Sequence, residues 1–288
     1  MTHVRLDTLI SAADLLAALD AAEPPVLIDT RFDLADITAG ETAWRAGHLA
    51  GAHYLHLERD LSGDKVRSDG SFRGRHPLPE RADFAASLGR IGVTPASAVV
   101  ALDAQGGMYA ARLWWMLRWM GHERVAVLDG GIPAWLGAGG MLATDAPTFA
   151  AAPAYPARVS SFTTVDAATL ANELGRIRLL DARAGERFRG EVEPLDTAAG
   201  HIPGALNRFF KDNLEADGRF KPAAQLRADF EALLGRQPAA ATVHQCGSGV
   251  SACHNLLAMA HAGLGSSRLY PGSWSEWSAD PLRPVAKG

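Results

Sequence analysis

The stretch A-T-V-H-Q-C-G-S-G-V-S-A-C-H-N-L-L-A-M-A-H-A-G, residues 241–263, sets the frame for the whole chain. Its first five residues are β-formers, and the run from Val250 has the apolar spacing of a helix. Between them lies a glycine-rich turn with Cys246 at its tip. A strand that turns directly into a helix is the unit of an α/β layer. In open sheets of this kind, ligands bind beyond the carboxyl ends of the strands. Cys246 stands at such an end. The chain holds only two cysteines, so no disulfide framework explains its presence there.

The same pattern continues outward in both directions. Short apolar strands (V-L-I-D, A-V-V-A-L and V-A-V-L-D, then R-L-L-D, A-T-V-H-Q and R-L-Y) alternate with helical runs. They are continuous rather than alternating, which predicts parallel sheets covered on both faces. The chain is also written twice. Leu27-Ile28-Asp29-Thr30-Arg31 recurs as Leu179-Leu180-Asp181-Ala182-Arg183, roughly 150 residues on. Gly47-His48-Leu49-Ala50-Gly51-Ala52 recurs as Gly200-His201-Ile202-Pro203-Gly204-Ala205. Leu128-Asp129-Gly130-Gly131 recurs loosely as Leu269-Tyr270-Pro271-Gly272, with tryptophan following in both. Landmarks repeated in the same order predict two tandem α/β domains, residues 1–143 and 161–288. The Ala/Pro-rich stretch T-D-A-P-T-F-A-A-A-P-A-Y-P-A lies between them, in a linker over 144–160.

Bulk properties narrow the function. The net charge is −4 and no basic block occurs, which argues against a nucleic-acid surface. No apolar run reaches the roughly 18 residues that span a bilayer. The N-terminus, M-T-H-V-R-L-D-T-L, mixes charges into its apolar residues and does not read as a signal peptide. A reducing cytoplasm is the expected compartment, where a lone thiol is free for chemistry.

The turn itself suggests that chemistry. Gly247 and Gly249 permit conformations that gather successive backbone N–H groups into a bowl. The helix beginning near Val250 adds its unpaired N–H groups and the positive end of its dipole. Ser248 and Ser251 add hydroxyls. A bowl built from residues 247–252 (Gly247, Ser248, Gly249, Val250, Ser251 and Ala252) favours an anion, whether thiolate or persulfide, on Cys246. Three other readings compete. G-S-G-V-S-A matches the loose dinucleotide fingerprint, but no complete βαβαβ unit follows and no acidic residue stands in the next strand. A cysteine phosphatase would need an arginine where this chain has Ala252. A buried, inert thiol is the ordinary role of a free cysteine, but a glycine turn is an unusual place for one.

Cys246-Gly-Ser-Gly-Val-Ser-Ala252 resembles the active-site loop of the two-domain rhodanese family, in its 3-mercaptopyruvate and thiosulfate sulfurtransferase branches. The duplication supports the resemblance, as do Asp181-Ala-Arg-Ala-Gly-Glu-Arg-Phe-Arg-Gly190, Gly200-His-Ile-Pro-Gly-Ala205, Trp114-Trp115-Met116 and Gly272-Ser-Trp-Ser-Glu-Trp277. It covers essentially the whole chain. It implies two tandem rhodanese-like domains, of which the C-terminal one is catalytic. It also implies a ping-pong transfer of sulfur from a small anionic donor, through a Cys246 persulfide, to a thiol or cyanide acceptor. A thioredoxin-like protein could serve as that thiol. No cofactor and no metal is implied. In the N-terminal domain Asp103 stands near the cysteine's place and cannot carry sulfur, and the resemblance places the active site between the halves.

The donor follows from charge. Thiosulfate enzymes of this kind carry Arg and Lys just after the cysteine, where this chain has Gly247 and Ser248. A neutral loop suits 3-mercaptopyruvate, whose carboxylate is held farther off. Thiosulfate as main donor, and a persulfide carrier with little turnover of small donors, are the alternatives. Arg187 matches the family's substrate-binding arginine and suits a two-point grip on a carboxylate. A second family arginine aligns with Leu195, which leaves Arg75 as a candidate replacement. His76 and Glu58 match family residues at the cleft, and Ser248 is placed to assist proton transfer. Cys253 shares a helical face with Val250 and Leu257 and reads as core. Asp29, Arg31, Asp181 and Arg183 occur in both halves and read as structural, as do His48 and His201. His244, His254 and His261 form no metal-ligand grouping with the cysteines.

Overall fold

The computed structural model describes residues 6–148 and 150–288. Residues 1–5 of the N-terminal stretch, and Phe149 in the Ala/Pro-rich stretch, lie outside the described residues. The chain forms two compact units. One takes the chain to Leu61, Pro79–Ser160 and Ala216–Phe220; the other takes Ser62–Leu78, Ser161–Glu215 and Lys221–Gly288. Each unit therefore incorporates one short segment that chain order alone would give to the other.

The first unit runs β1 (Leu9–Ile10), α1 (Ala12–Leu19), β2 (Val26–Asp29), α2 (Ala39–Ala46), β3 (His53–Tyr54), α3 (Arg81–Arg90), β4 (Val99–Leu102), α4 (Ala110–Trp119), β5 (Val125–Leu128) and α5 (Gly131–Gly137). The strands pair in parallel in the order β1-β5-β4-β2-β3. Every residue of β4 and β5 is buried, as their unbroken Val/Ala/Leu runs require of a sheet covered twice. Leu27, Val100, Leu102, Ala126 and Leu128 point to one face and pack with Leu15 of α1 and with Ile132 and Trp135 of α5. Residues between them face the other way, by the period of two, toward the face that takes α4. Trp114 and Trp115 are fully enclosed there, and Arg81 lies over the half-buried Trp119 ring at 4.8 Å.

The second unit runs α6 (Ala167–Glu173), β6 (Arg178–Asp181), α7 (Gly185–Arg189), β7 (Ala205–Asn207), α8 (Ala223–Leu234), β8 (Thr242–Gln245), α9 (Ala252–His261), β9 (Arg268–Leu269) and α10 (Ser273–Ala279). Its parallel order, β7-β6-β8-β9, is that of β3-β2-β4-β5. Where β1 would stand, a single parallel bridge joins Thr164 to Leu269. The duplication is thus real in three dimensions, with one correction of register. The pairing of Ala101 with Val127, and of His244 with Leu269, aligns Gly130 with Gly272, Gly131 with Ser273 and Trp135 with Trp277. The loose match of Leu128 to Leu269 slips by one residue.

The repeated polar landmarks are structural, as expected. Arg31 grips the buried Asp29 carboxylate and donates to Gly47 O (2.8 Å); Arg183 grips Asp181 and donates to Gly200 O (2.7 Å). Each guanidinium ties the end of a strand to the turn that carries the repeated histidine. His48 stacks on Trp44, and His201 stacks on Phe188 at 3.8 Å. The described residues of the Ala/Pro-rich stretch form no helix or strand but are pinned to the first unit. Ala152 and Tyr155 donate backbone N–H groups to Gly89 O and Ala85 O, and the Tyr155 hydroxyl pairs with His122 at 3.0 Å.

Candidate active site

β8 delivers Cys246 to the carboxyl edge of the second sheet, and α9 begins at Ala252, two residues later than the apolar pattern suggests. The turn between is fixed from behind by the start of α10. Cys246 N–H donates to Ser273 Oγ (3.1 Å), while Trp274 N–H and Ser275 N–H donate to the carbonyl oxygens of Cys246 (3.0 Å) and Gly247 (2.9 Å). A trans peptide points its N–H opposite to its C=O. With those two carbonyls held by α10, the N–H groups of Gly247 and Ser248 face away from it.

The two glycines serve different needs. Gly249 has φ +78°, and a side chain there would meet Pro271 O at 2.4 Å. This conformation aims Gly249 N–H at Cys246 Sγ, 3.1 Å away. Gly247 is not in the left-handed region; its lack of a side chain lets two guanidinium ends come close, since a Cβ would lie 2.8 Å from Arg75 Nη2 and 3.5 Å from Arg187 Nη1 and these mobile ends would have to move aside. Among the described residues, the N–H groups of Gly247, Ser248, Val250, Ser251 and Ala252 have no protein acceptor. Cys246 itself is buried, 2% exposed.

The first unit shows what such a bowl holds. Asp103 stands where Cys246 does, and its carboxylate receives four backbone N–H groups of its own loop. Gln105 and Gly107 donate to Oδ1 (both 2.9 Å), and Tyr109 (2.8 Å) and Ala110 (3.0 Å) donate to Oδ2. The same strand-turn-helix there carries a built-in anion.

The cations come from two places in the chain. Arg187 lies on α7, and Arg75 lies in the Ser62–Leu78 segment, which packs as part of the second unit although it precedes α3. Both guanidiniums bind Asp196, Arg75 through Nη1 and Arg187 through Nη2 (3.1 Å), and Arg187 Nη2 also binds Glu193 at 2.5 Å. Burial pushes the Asp196 carboxyl up, against the pull of Arg75. The carboxylates take Arg75 Nη1 and Arg187 Nη2, leaving Arg75 Nη2 and Arg187 Nη1 toward Gly247. Beside them His76 Nδ1 meets Ser248 Oγ at 2.8 Å, and both residues are buried.

A family model for the rhodanese-like domain matches residues 11–138 and again residues 166–280. The chain belongs to the rhodanese family. A Pseudomonas aeruginosa protein named "Probable 3-mercaptopyruvate sulfurtransferase" is 47% identical to this rhodanese over 287 residues, covering 97% of this chain and 100% of the relative. A Mycobacterium tuberculosis protein named "Putative thiosulfate sulfurtransferase SseB" is 40% identical over 296 residues, covering 99% of each. Among solved structures, SseA from Escherichia coli, described as a 3-mercaptopyruvate sulfotransferase, matches with TM-score 0.76 and 29% identity over 93% of this chain and 99% of that one.

Other candidates fall elsewhere in this rhodanese. Glu58 belongs to the first unit, where its N–H donates to His56 Nδ1 (3.1 Å). Leu195 is exposed, and its N–H donates to Glu193 (3.1 Å). Cys253 is buried, and its thiol donates to Gly249 O (3.4 Å). No group of three potential metal ligands occurs among the described residues, and none of the helices searched is long and apolar enough to cross a membrane. Sequence reasoning missed Glu193, Asp196 and Ser273. The first two had a visible signal, three carboxylates in E-V-E-P-L-D shortly after an arginine. Ser273 was visible only as a member of Gly272-Ser-Trp-Ser-Glu-Trp277, and its place at the site was not, because only the backbone path brings α10 to Cys246.

Proposed function

We propose that this two-domain rhodanese is a sulfurtransferase that takes sulfur from 3-mercaptopyruvate through a persulfide on Cys246. One observation carries the reading. A cysteine whose sulfur already receives a backbone N–H stands beside a neutral Gly247, and two guanidinium edges lie against that glycine. The donor's carboxylate binds Arg187 and Arg75, each charged hydrogen bond contributing about 1.5–3 kcal/mol. The Cys246 thiolate attacks the donor's sulfur. The S–S bond forms as the C–S bond breaks, and the electron pair leaves on carbon as the enolate of pyruvate, which takes a proton. Ser248, hydrogen-bonded to His76, is the group that passes this proton. The N–H groups of residues 247–252 stabilise the persulfide anion, an electrostatic arrangement made before the reaction begins. An acceptor thiolate then attacks the outer sulfur and returns Cys246 as thiolate.

The relative named for thiosulfate supports a second reading with that donor. Intact-mass spectrometry after incubation with each donor tests the first. 3-Mercaptopyruvate should add the mass of one sulfur to the wild type and nothing to Cys246→Ser, and cyanide should remove it. No adduct from either donor on folded protein would sink the reading. A stable adduct without turnover would make the chain a persulfide carrier.

A further inference from the structure

Ser273 is the one non-glycine residue with positive φ (+53°) among the described residues. A serine in the left-handed region costs roughly 1–2 kcal/mol, and such outliers persist where the surrounding structure demands them. The duplicated unit provides the comparison. Gly131 occupies the same register position, at the start of α5 as Ser273 is at the start of α10, and has φ +56°. The contact that follows is also repeated: Ile132 N–H donates to Asp103 O (2.9 Å) as Trp274 N–H donates to Cys246 O (3.0 Å). The fold therefore needs a positive φ at this point in both units. In the first unit it uses glycine, the residue that adopts this conformation freely, and a side chain there would come within 2.3 Å of Asp103 O. In the second unit the position carries a side chain despite the strain. That side chain has one evident task. Ser273 Oγ receives the Cys246 N–H (3.1 Å) and donates to Tyr270 O (2.9 Å), and the residue is fully buried.

We infer that Ser273 is a positioning residue for the sulfur-transfer cysteine, its hydroxyl and its strained backbone together fixing the peptide groups that flank Cys246. The inference rests on the reading of Cys246 as the sulfur carrier. The hydroxyl holds the N–H on one side of Cys246. The positive φ lets the next two N–H groups hold the carbonyls of Cys246 and Gly247, which turns the donors of the bowl outward. A displacement of about 1 Å in such an arrangement lowers rates by about a hundredfold.

Two substitutions separate this role from a turn requirement. Ser273→Gly keeps the favoured backbone and removes the hydroxyl; Ser273→Ala keeps the strain and removes the hydroxyl. Single-turnover persulfide formation from 3-mercaptopyruvate should slow at least tenfold in both. The change should fall on kcat more than on KM, because neither variant touches the arginines. Ser273→Gly should also melt higher than Ser273→Ala, as expected where φ is positive. Ser273→Gly persulfidating within threefold of wild type would overturn the inference. So would equal losses for Ser273→Gly in persulfide formation and in donor binding. If the glycine variant does not fold, Ser273→Thr, which keeps the hydroxyl, must retain activity closer to wild type than the alanine variant, or the inference fails. Wild-type protein that forms no persulfide would overturn the reading beneath it, and the inference with it.

Discussion

At the scale of single residues, the site is a balance of two guanidiniums against two carboxylates around an uncharged turn. Arg187 was legible in E-R-F-R-G, and the absence of a charged side chain at Gly247 was legible as a donor preference. What could not be read was that a guanidinium from residue 75 reaches position 247, 2.8 Å from where a Cβ would be. Arg187→Ala and Arg75→Ala should each lower kcat/KM for 3-mercaptopyruvate by about 10–100-fold, the cost of one charged hydrogen bond. Discharge of preformed persulfide to a small neutral thiol should be little changed, because the carboxylate has already left. Rapid-quench measurement of the two half-reactions separates these effects. Arg187→Lys should not restore the rate, since an ammonium lacks the planar fork that binds Glu193 and Asp196 through one nitrogen and turns the other toward Gly247. Asp196 bears on charge preference. It is 2% exposed at its side chain and pairs with both arginines, and with Glu193 it offsets their charge, which favours a donor with one negative charge over a dianion. Asp196→Asn should therefore raise the ratio of thiosulfate to 3-mercaptopyruvate kcat/KM by roughly tenfold, from Coulomb energies at an effective dielectric near 20. An unchanged ratio would mean that the turn alone sets the preference.

At the scale of elements, the same strand-turn-helix is used twice with different anions. In the first unit the anion is the Asp103 side chain, which receives four N–H groups. Asp103→Ala would leave those donors buried without an acceptor and should destabilise the protein by about 2–4 kcal/mol. Urea unfolding reads that loss directly; a change below about 0.5 kcal/mol would mean that water substitutes fully for the carboxylate. The elements themselves were readable where burial on both faces imposed unbroken apolar runs, as in β4 and β5, whereas β8 (T-V-H-Q) was readable from its β-formers and the glycine turn that follows. β1, β3 and β7 escaped notice because two or three residues at a sheet edge carry no period. The start of α9 was misplaced by two residues because Val250 and Ser251 belong to the turn and not to the helix. The third repeat was misaligned by one residue because the visible Gly-Gly and Pro-Gly pairs do not correspond; the strained serine does.

At the scale of the molecule, the most consequential feature is the path of the chain. Arg75 and His76 are N-terminal in sequence yet pack in the second unit, with Arg75 N–H donating to Ser275 Oγ (3.1 Å) and Arg67 binding Glu276 (2.8 Å). Periodicity reports which element a residue joins and not which unit, so this segment exchange was invisible before the fold was known. Stability has a molecular signature as well. Burial pushes His244 down to about 3, and lowers His53 and His122 too. Unfolded imidazoles take up a proton near pH 6.5, so below that pH the unfolded chain binds more protons than the native one. Their contribution is complete above about pH 6.5 and is lost as pH falls. His244 alone should cost about 2 kcal/mol between pH 6.5 and pH 5. His244→Leu should flatten that dependence in urea midpoints, and parallel pH profiles for variant and wild type would contradict it. The central claim, a cysteine charged by a carboxylate-bearing thiol, is tested most directly by kcat/KM for 3-mercaptopyruvate and thiosulfate, measured side by side with cyanide as acceptor. A ratio above about 10 in favour of 3-mercaptopyruvate, some 1.4 kcal/mol of transition-state preference, is expected. A ratio below one would contradict the assignment of the donor and make this a thiosulfate enzyme despite its neutral turn.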